Sequence, residues 1–154
     1  MKLSSLLFQA IAASAAAIDT SVIDKRDVVF NVRDFSASCV PHSALCFYSF
    51  NVVHTGTMDV LGYECTASAV GVGVPASLPE IQNGTCPPSS RTFDVVRSED
   101  GITLIVSVQV SRLSFTRGSY FIHNEQIQLI KGVTPTGDYT AYVGPKDFDL
   151  ERIW

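Results

Sequence analysis

Past residue 27, apolar and polar side chains repeatedly alternate one by one, the two-residue period of strands that turn one face to a core. The pattern is clearest at Ile102, Leu104, Val106, Val108 and Val110, which alternate with Thr103, Ser107, Gln109 and Ser111 and are interrupted only by Ile105. Residues 28–35, 44–54 and 60–69 are rich in β-branched and aromatic side chains and predict three earlier strands, the last two joined by a Thr55-Gly56-Thr57 turn. Residues 92–97 lead through Ser98-Glu99-Asp100-Gly101 into the alternating strand as a hairpin. Arg117-Gly118-Ser119 predicts a turn into a strand at 120–123, another follows at 126–131, and Pro135-Thr136-Gly137-Asp138 turns the chain into a last strand at 139–143. Residues 71–86 break the alternation; Gly71, Gly73, Pro75, Pro79 and Gly84, then Pro87 and Pro88, predict a long irregular connection. No segment beyond residue 27 holds an apolar repeat at three and four residues over ten positions, so helix is not expected. Short strands at this spacing predict an all-β domain, a compact antiparallel sandwich or closed barrel.

The first 26 residues follow a different pattern. Lys2 supplies a positive start, residues 3–11 are mostly apolar, and Ala12-Ala13-Ser14-Ala15-Ala16-Ala17 offers small residues for cleavage after Ala17. The run is shorter than the roughly 20 residues that span a bilayer. It therefore reads as a signal peptide, 1–17. Residues 18–26 lack periodicity and end in the dibasic pair Lys25-Arg26, which reads as a pro-segment cut before Asp27. The expectation is a secreted, extracellular protein whose single β domain runs from 27 to 154.

Export changes how the cysteines are read. Cys39, Cys46, Cys65 and Cys86 all fall within that domain, and an even number in an oxidising compartment predicts two disulfides. Four cysteines allow three pairings. The sequential one, Cys39 with Cys46 and Cys65 with Cys86, is favoured because it closes two modest loops, with roughly 2.5 and 3.4 kcal/mol of loop-closure stabilisation. Cys39, His42 and Cys46 also resemble part of a zinc site, but a fourth ligand is missing nearby and export favours the disulfide. No metal or cofactor is expected.

From Asp27 onward the chain carries eight Lys or Arg against thirteen Asp or Glu. That balance argues against nucleic acid as a partner, which requires a basic footprint, and against electrostatic binding to a membrane surface. The acidic segment 147–154 lacks the apolar tail of a lipid-anchor signal. Asp147 and Asp149 read as a solvated strand edge guarding against sheet-to-sheet association, and Asp34 as part of a local turn or salt bridge. Asn83-Gly84-Thr85 is an N-glycosylation acceptor in the irregular connection.

Catalytic motifs are missing. There is no nucleophile elbow, zinc-protease helix motif, phosphate loop or calcium loop. His42 reads as a hydrogen-bonding brace in the Cys39–Cys46 loop, His54 as a solvent-facing strand end, and His123 as a strand end beside Asn124. No catalytic residue is assigned, and an enzyme is not expected.

The segment D-V-V-F-N-V-R-D-F-S-A-S-C-V-P-H-S-A-L-C-F-Y-S-F-N-V at 27–52 resembles the N-terminal half of small secreted fungal proteins related to the Alternaria major allergen. V-x-F-x-V-x-D-F at 28–35, the Cys39/Cys46 loop around His42, Tyr48 with Phe50, E-C-T-A at 64–67, Leu78-Pro79 and G-I-T-L-I-V at 101–106 carry the resemblance. It implies a compact antiparallel β barrel or sandwich with two internal disulfides and no general catalytic centre. It also implies a role as an effector or elicitor in virulence; together with export, disulfides and the missing catalytic motifs, it makes a host extracellular protein or cell-wall component the expected partner. Members of the allergen type carry an extra cysteine for a covalent dimer; with four cysteines, this chain is left with a non-covalent homodimer as the option. Two other readings stay open. One is a small ribonuclease-like hydrolase using His54, Glu64 or His123; the other is an apolar-ligand carrier lined by Phe47, Phe50, Phe93, Phe115 and Tyr120.

Overall fold

The computed structural model describes residues 27–132 and 137–154. The expected signal peptide and pro-segment, with Ala17, Lys25 and Arg26, lie outside the described residues, as do Pro135 and Thr136 of the predicted turn. Ten strands form among the described residues: β1 (Val28–Cys39), β2 (Leu45–His54), β3 (Tyr63–Val70), β4 (Ile81–Thr85), β5 (Thr92–Arg97), β6 (Gly101–Ser111), β7 (Ser114–His123), β8 (Ile127–Ile130), β9 (Tyr139–Tyr142) and β10 (Phe148–Arg152).

From β1 to β7 each strand pairs antiparallel with the next, and β10 enters between β7 and β1. Eight strands thereby close into a barrel, which leaves those strands no free edge. The β8–β9 hairpin branches off, touching β1 at Ser38 and Ala141. β1 serves two neighbours on one side because it bulges. Its register with β2 shifts between Arg33 and Ser36, and Asp34 takes φ 53°, a left-handed conformation that Asp tolerates. The freed backbone is captured by the segment before β10: the Asp34 N–H donates to Asp147 Oδ1 at 3.0 Å and the Phe35 N–H to the Lys146 carbonyl at 2.8 Å. The extra residue lets Val32 and Phe35 both point inward.

Alternation fills the interior. Phe30, Phe35, Tyr48, Phe50, Phe93, Leu104, Ile122 and Leu150 are fully buried. Their rings run in series across the barrel: Phe93 meets Phe50 at 5.0 Å, Phe50 meets Phe35 at 5.8 Å, and Phe35 meets Phe148 at 5.3 Å. Phe148 then stacks on Tyr120 at 4.1 Å. The disulfides join Cys39 to Cys46 and Cys65 to Cys86.

Several expectations are corrected. The connection 71–86 is not irregular throughout, because residues 81–85 form β4 between β3 and β5. Its I-Q-N-G-T sequence lacks strand periodicity since a bulge at Asn83, φ 54°, interrupts the pleat. Arg117-Gly118-Ser119 is no turn; it lies inside β7. Gly118 is needed there because a Cβ would sit 2.7 Å from Val29 Cγ2 on β1 and 2.9 Å from Leu150 Cβ on β10. The strand expected from residue 60 begins at Tyr63. Finally, Asp147 and Asp149 do not guard an edge. β10 is paired on both sides, and Asp149 accepts a 2.6 Å hydrogen bond from Asn31 Nδ2 on β1.

Candidate functional site

The registers place the β1–β2 loop, the β3–β4 connection, the end of β8 at Ile130 and the start of β9 at Tyr139 at one end of the barrel, here the upper end. The β2–β3, β4–β5 and β6–β7 loops lie at the lower end.

At the upper end the Cys39–Cys46 bond clamps a six-residue loop. Within it the Val40 N–H donates to the Leu45 carbonyl at 2.8 Å and the Ser43 N–H to the Val40 carbonyl at 3.1 Å. The loop is tied to the next connection by the Gly71 N–H, which donates to the Ala44 carbonyl at 2.6 Å. Gly71 carries no Cβ because Cys46 Sγ would lie 2.7 Å from one. Val72 and Ser77 then exchange backbone hydrogen bonds and project Gly73-Val74-Pro75 as a small tip. Behind that tip, the buried Tyr48 hydroxyl donates to the Pro79 carbonyl at 2.8 Å and fixes the connection to the barrel. Burial holds that phenol well above its usual titration range.

Between the loop, the tip and the β8–β9 hairpin lies a half-open recess of about 440 Å³. Its walls are mostly apolar, with Val40, Val74, Pro75, Ala76 and Leu129, and His42, Asp138 and Tyr139 are the titratable side chains along them. His42 takes φ 60° in its turn and packs its ring against Gly137, where a Cβ would lie 2.7 Å from His42 Cε1. Cys39, His42 and Cys46 do not form a metal site, because both sulfurs are spent in the disulfide.

The lower mouth holds a buried ion pair. Arg91 is buried, paired with Asp59 Oδ2 at 2.7 Å, and lies 4.5 Å over the Tyr63 ring. His54 is half-buried at this mouth, partly in solvent, its ring 5.0 Å from that of buried Phe30. Desolvation first, then the Arg91 and Arg152 charges, lower its pKa; the Asp59 carboxylate opposes them only in part. A group depressed in the fold binds its proton more readily once unfolded, so folding opposes protonation of His54. Stability against denaturant should therefore be full above about pH 6.5 and fall as the pH drops below it. In His54→Gln this part of the pH dependence should disappear, as urea titrations across that range would show. An unchanged pH profile would mean that His54 titrates alike in both states.

The three histidines do not converge. His54 faces the lower mouth, His123 is exposed at the upper end of β7 opposite Gly101, and His42 lies in the disulfide loop. Glu64 is exposed on the outer face of β3, opposite Asn51. His54, Glu64 and His123 thus share no site for acid–base chemistry. The aromatics considered for a ligand cavity separate as well: Phe50 and Phe93 are core, Tyr120 stacks at its margin, and Phe47 and Phe115 point outward. Asn83 lies on β4 rather than in a loop, and it is exposed on the barrel wall.

Sequence reasoning missed both the recess and the Asp59–Arg91 pair. The recess is assembled from three distant segments, and the pair is 32 residues apart; neither leaves a local pattern.

These features define a small antiparallel β-barrel of eight strands, braced by two disulfides and carrying one branching hairpin. Among solved structures its fold is similar to that of the Alternaria alternata major allergen Alt a 1, with a TM-score of 0.53 over 82% of this chain and 94% of that one. Sequence identity is 17%, so the likeness is one of fold. No protein-family model matches the chain, and no curated protein sequence does.

Proposed function

We propose that this is a secreted, non-enzymatic binding protein that presents its upper recess to a host extracellular protein or cell-wall component, as an effector or elicitor does. The observation that carries this reading is the recess. It is concave and largely apolar, with His42 and Asp138 as orienting polar groups, the usual composition of a recognition site. Its walls are set in advance by the Cys39–Cys46 clamp, the Gly71–Ala44 hydrogen bond and the Tyr48 anchor, which lowers the ordering cost of binding. Extracellular residence is supported by the signal-like N-terminus, by disulfides of the kind that persist in oxidising compartments, and by the fold it shares with an allergen. A glycan on Asn83 would project from the barrel wall and leave the recess open.

Val74 provides the test, because it is fully exposed on the rim at 102% and its replacement should not disturb folding. The secreted protein should capture a specific component from host extracellular fluid or wall extract. Val74→Asp should weaken that capture about tenfold or more, about 1.4 kcal/mol. Capture of the same component by both forms, or no capture and no host response on infiltration, would overturn the reading. Self-association lost in Val74→Asp would instead assign the recess to a second copy of the chain.

A further inference from the structure

The lower end carries a second unusual surface. β5 begins at Thr92, opposite Ser107 on β6, so residues 108–116 extend the β6–β7 hairpin past that side of the barrel rim. At its turn Leu113 is 96% exposed, with Val110 and Phe115 each 54% exposed nearby. The chain beyond β10 runs alongside, the Ile153 N–H donating to the Arg117 carbonyl at 3.1 Å, and the next residue, Trp154, stands wholly in solvent. Three arginines collar this apolar tip. Arg117 lies 5.8 Å over Phe115, Arg152 lies 5.4 Å over Trp154, and Arg112 sits in the turn itself. Among the described residues none of the three is in an ion pair, although the chain as a whole is acidic. The acidic residue closest in register is Glu151, opposite Ser119.

We propose that this hairpin tip docks the protein peripherally on an anionic lipid surface. Leu113 and Phe115 would enter the boundary between headgroups and acyl chains, Trp154 would settle at the interface, and the arginines would reach lipid phosphates and carboxylates along their apolar stems. Shape favours a bilayer over an acidic polysaccharide. The tip is convex with an aliphatic apex at Leu113, a shape that enters a soft lipid boundary and offers no groove or flat platform along which a sugar chain could lie. The net charge of the whole chain conceals this local segregation.

Trp154 is the single tryptophan, so its fluorescence reports the site directly. Vesicles of phosphatidylcholine containing about a third phosphatidylserine should shift its emission to the blue and float with the protein. Pure phosphatidylcholine vesicles should do neither, and added salt should weaken the effect. Leu113→Ser and Arg117→Gln, both at exposed positions, should each reduce vesicle binding about tenfold while leaving thermal unfolding unchanged. Absence of binding, equal binding to neutral vesicles, or full binding by both variants would overturn the proposal. A blue shift with soluble polygalacturonate but not with vesicles would overturn it too, and would assign the tip to an acidic glycan.

Discussion

Replacing Phe50 with alanine should lower the free energy of unfolding by about 3–5 kcal/mol, the largest effect expected of any single change in the core. Phe50 is 1% exposed and links the two halves of the ring series, meeting Phe93 edge-on at 5.0 Å and Phe35 at 5.8 Å. The wall behind it cannot close in, because its strand neighbours are held on both sides by β1 and β3. The lost transfer energy is therefore joined by the cost of a cavity. A urea titration should show a lower midpoint with little change in slope. A loss of only about 1 kcal/mol would mean that the barrel collapses around the gap and is less rigid than its closed hydrogen bonding implies.

The second large effect should come from removing the Cys65–Cys86 bond. Its two cysteines are 21 residues apart, and chain-closure entropy sets the loss at roughly 3.4 kcal/mol. The Cys39–Cys46 bond, 7 residues apart, should cost roughly 2.5 kcal/mol. Cys65→Ala with Cys86→Ala should therefore unfold at lower urea than Cys39→Ala with Cys46→Ala. The bonds also differ in task. Cys65–Cys86 fastens β3 to the segment leaving β4, two strands that share a short ladder at Thr66 and Thr85. Cys39–Cys46 shapes one wall of the recess. Its removal should damage partner capture more than stability, and the reverse order of stabilities would show that strain or residual structure outweighs loop closure.

Much of the barrel was legible in the residues. Alternation at Ile102, Leu104 and Val106 placed β6, and the same period with aromatic and β-branched side chains placed β2 and most of β1. A two-residue period is imposed by the pleat alone, so it survives in sequence wherever one face is buried and one is wet. β4 was lost because its bulge breaks that period. β7 was cut short because Gly118, placed for a close approach between strands, looks the same in sequence as a turn glycine. β10 was read as an acidic edge because Asp149 and Glu151 alternate with inward Phe148 and Leu150 over only five residues, too short a run to outweigh their charge.

By itself the sequence determined the period of the strands, the export-like N-terminus, the even set of cysteines and the lack of catalytic motifs. Each of these is local: it depends on a residue and its near neighbours in the chain. Tertiary structure alone decided the rest. It chose a barrel over a sandwich by inserting β10 between β7 and β1, turned His54 into the lower mouth, paired Asp59 with Arg91, and gathered three remote segments around one recess. It also segregated charge, setting three arginines that form no ion pair among the described residues around an apolar tip on an acidic chain. Such features depend on strand order and register, which hydrogen bonding between distant segments fixes and which no local window of sequence contains.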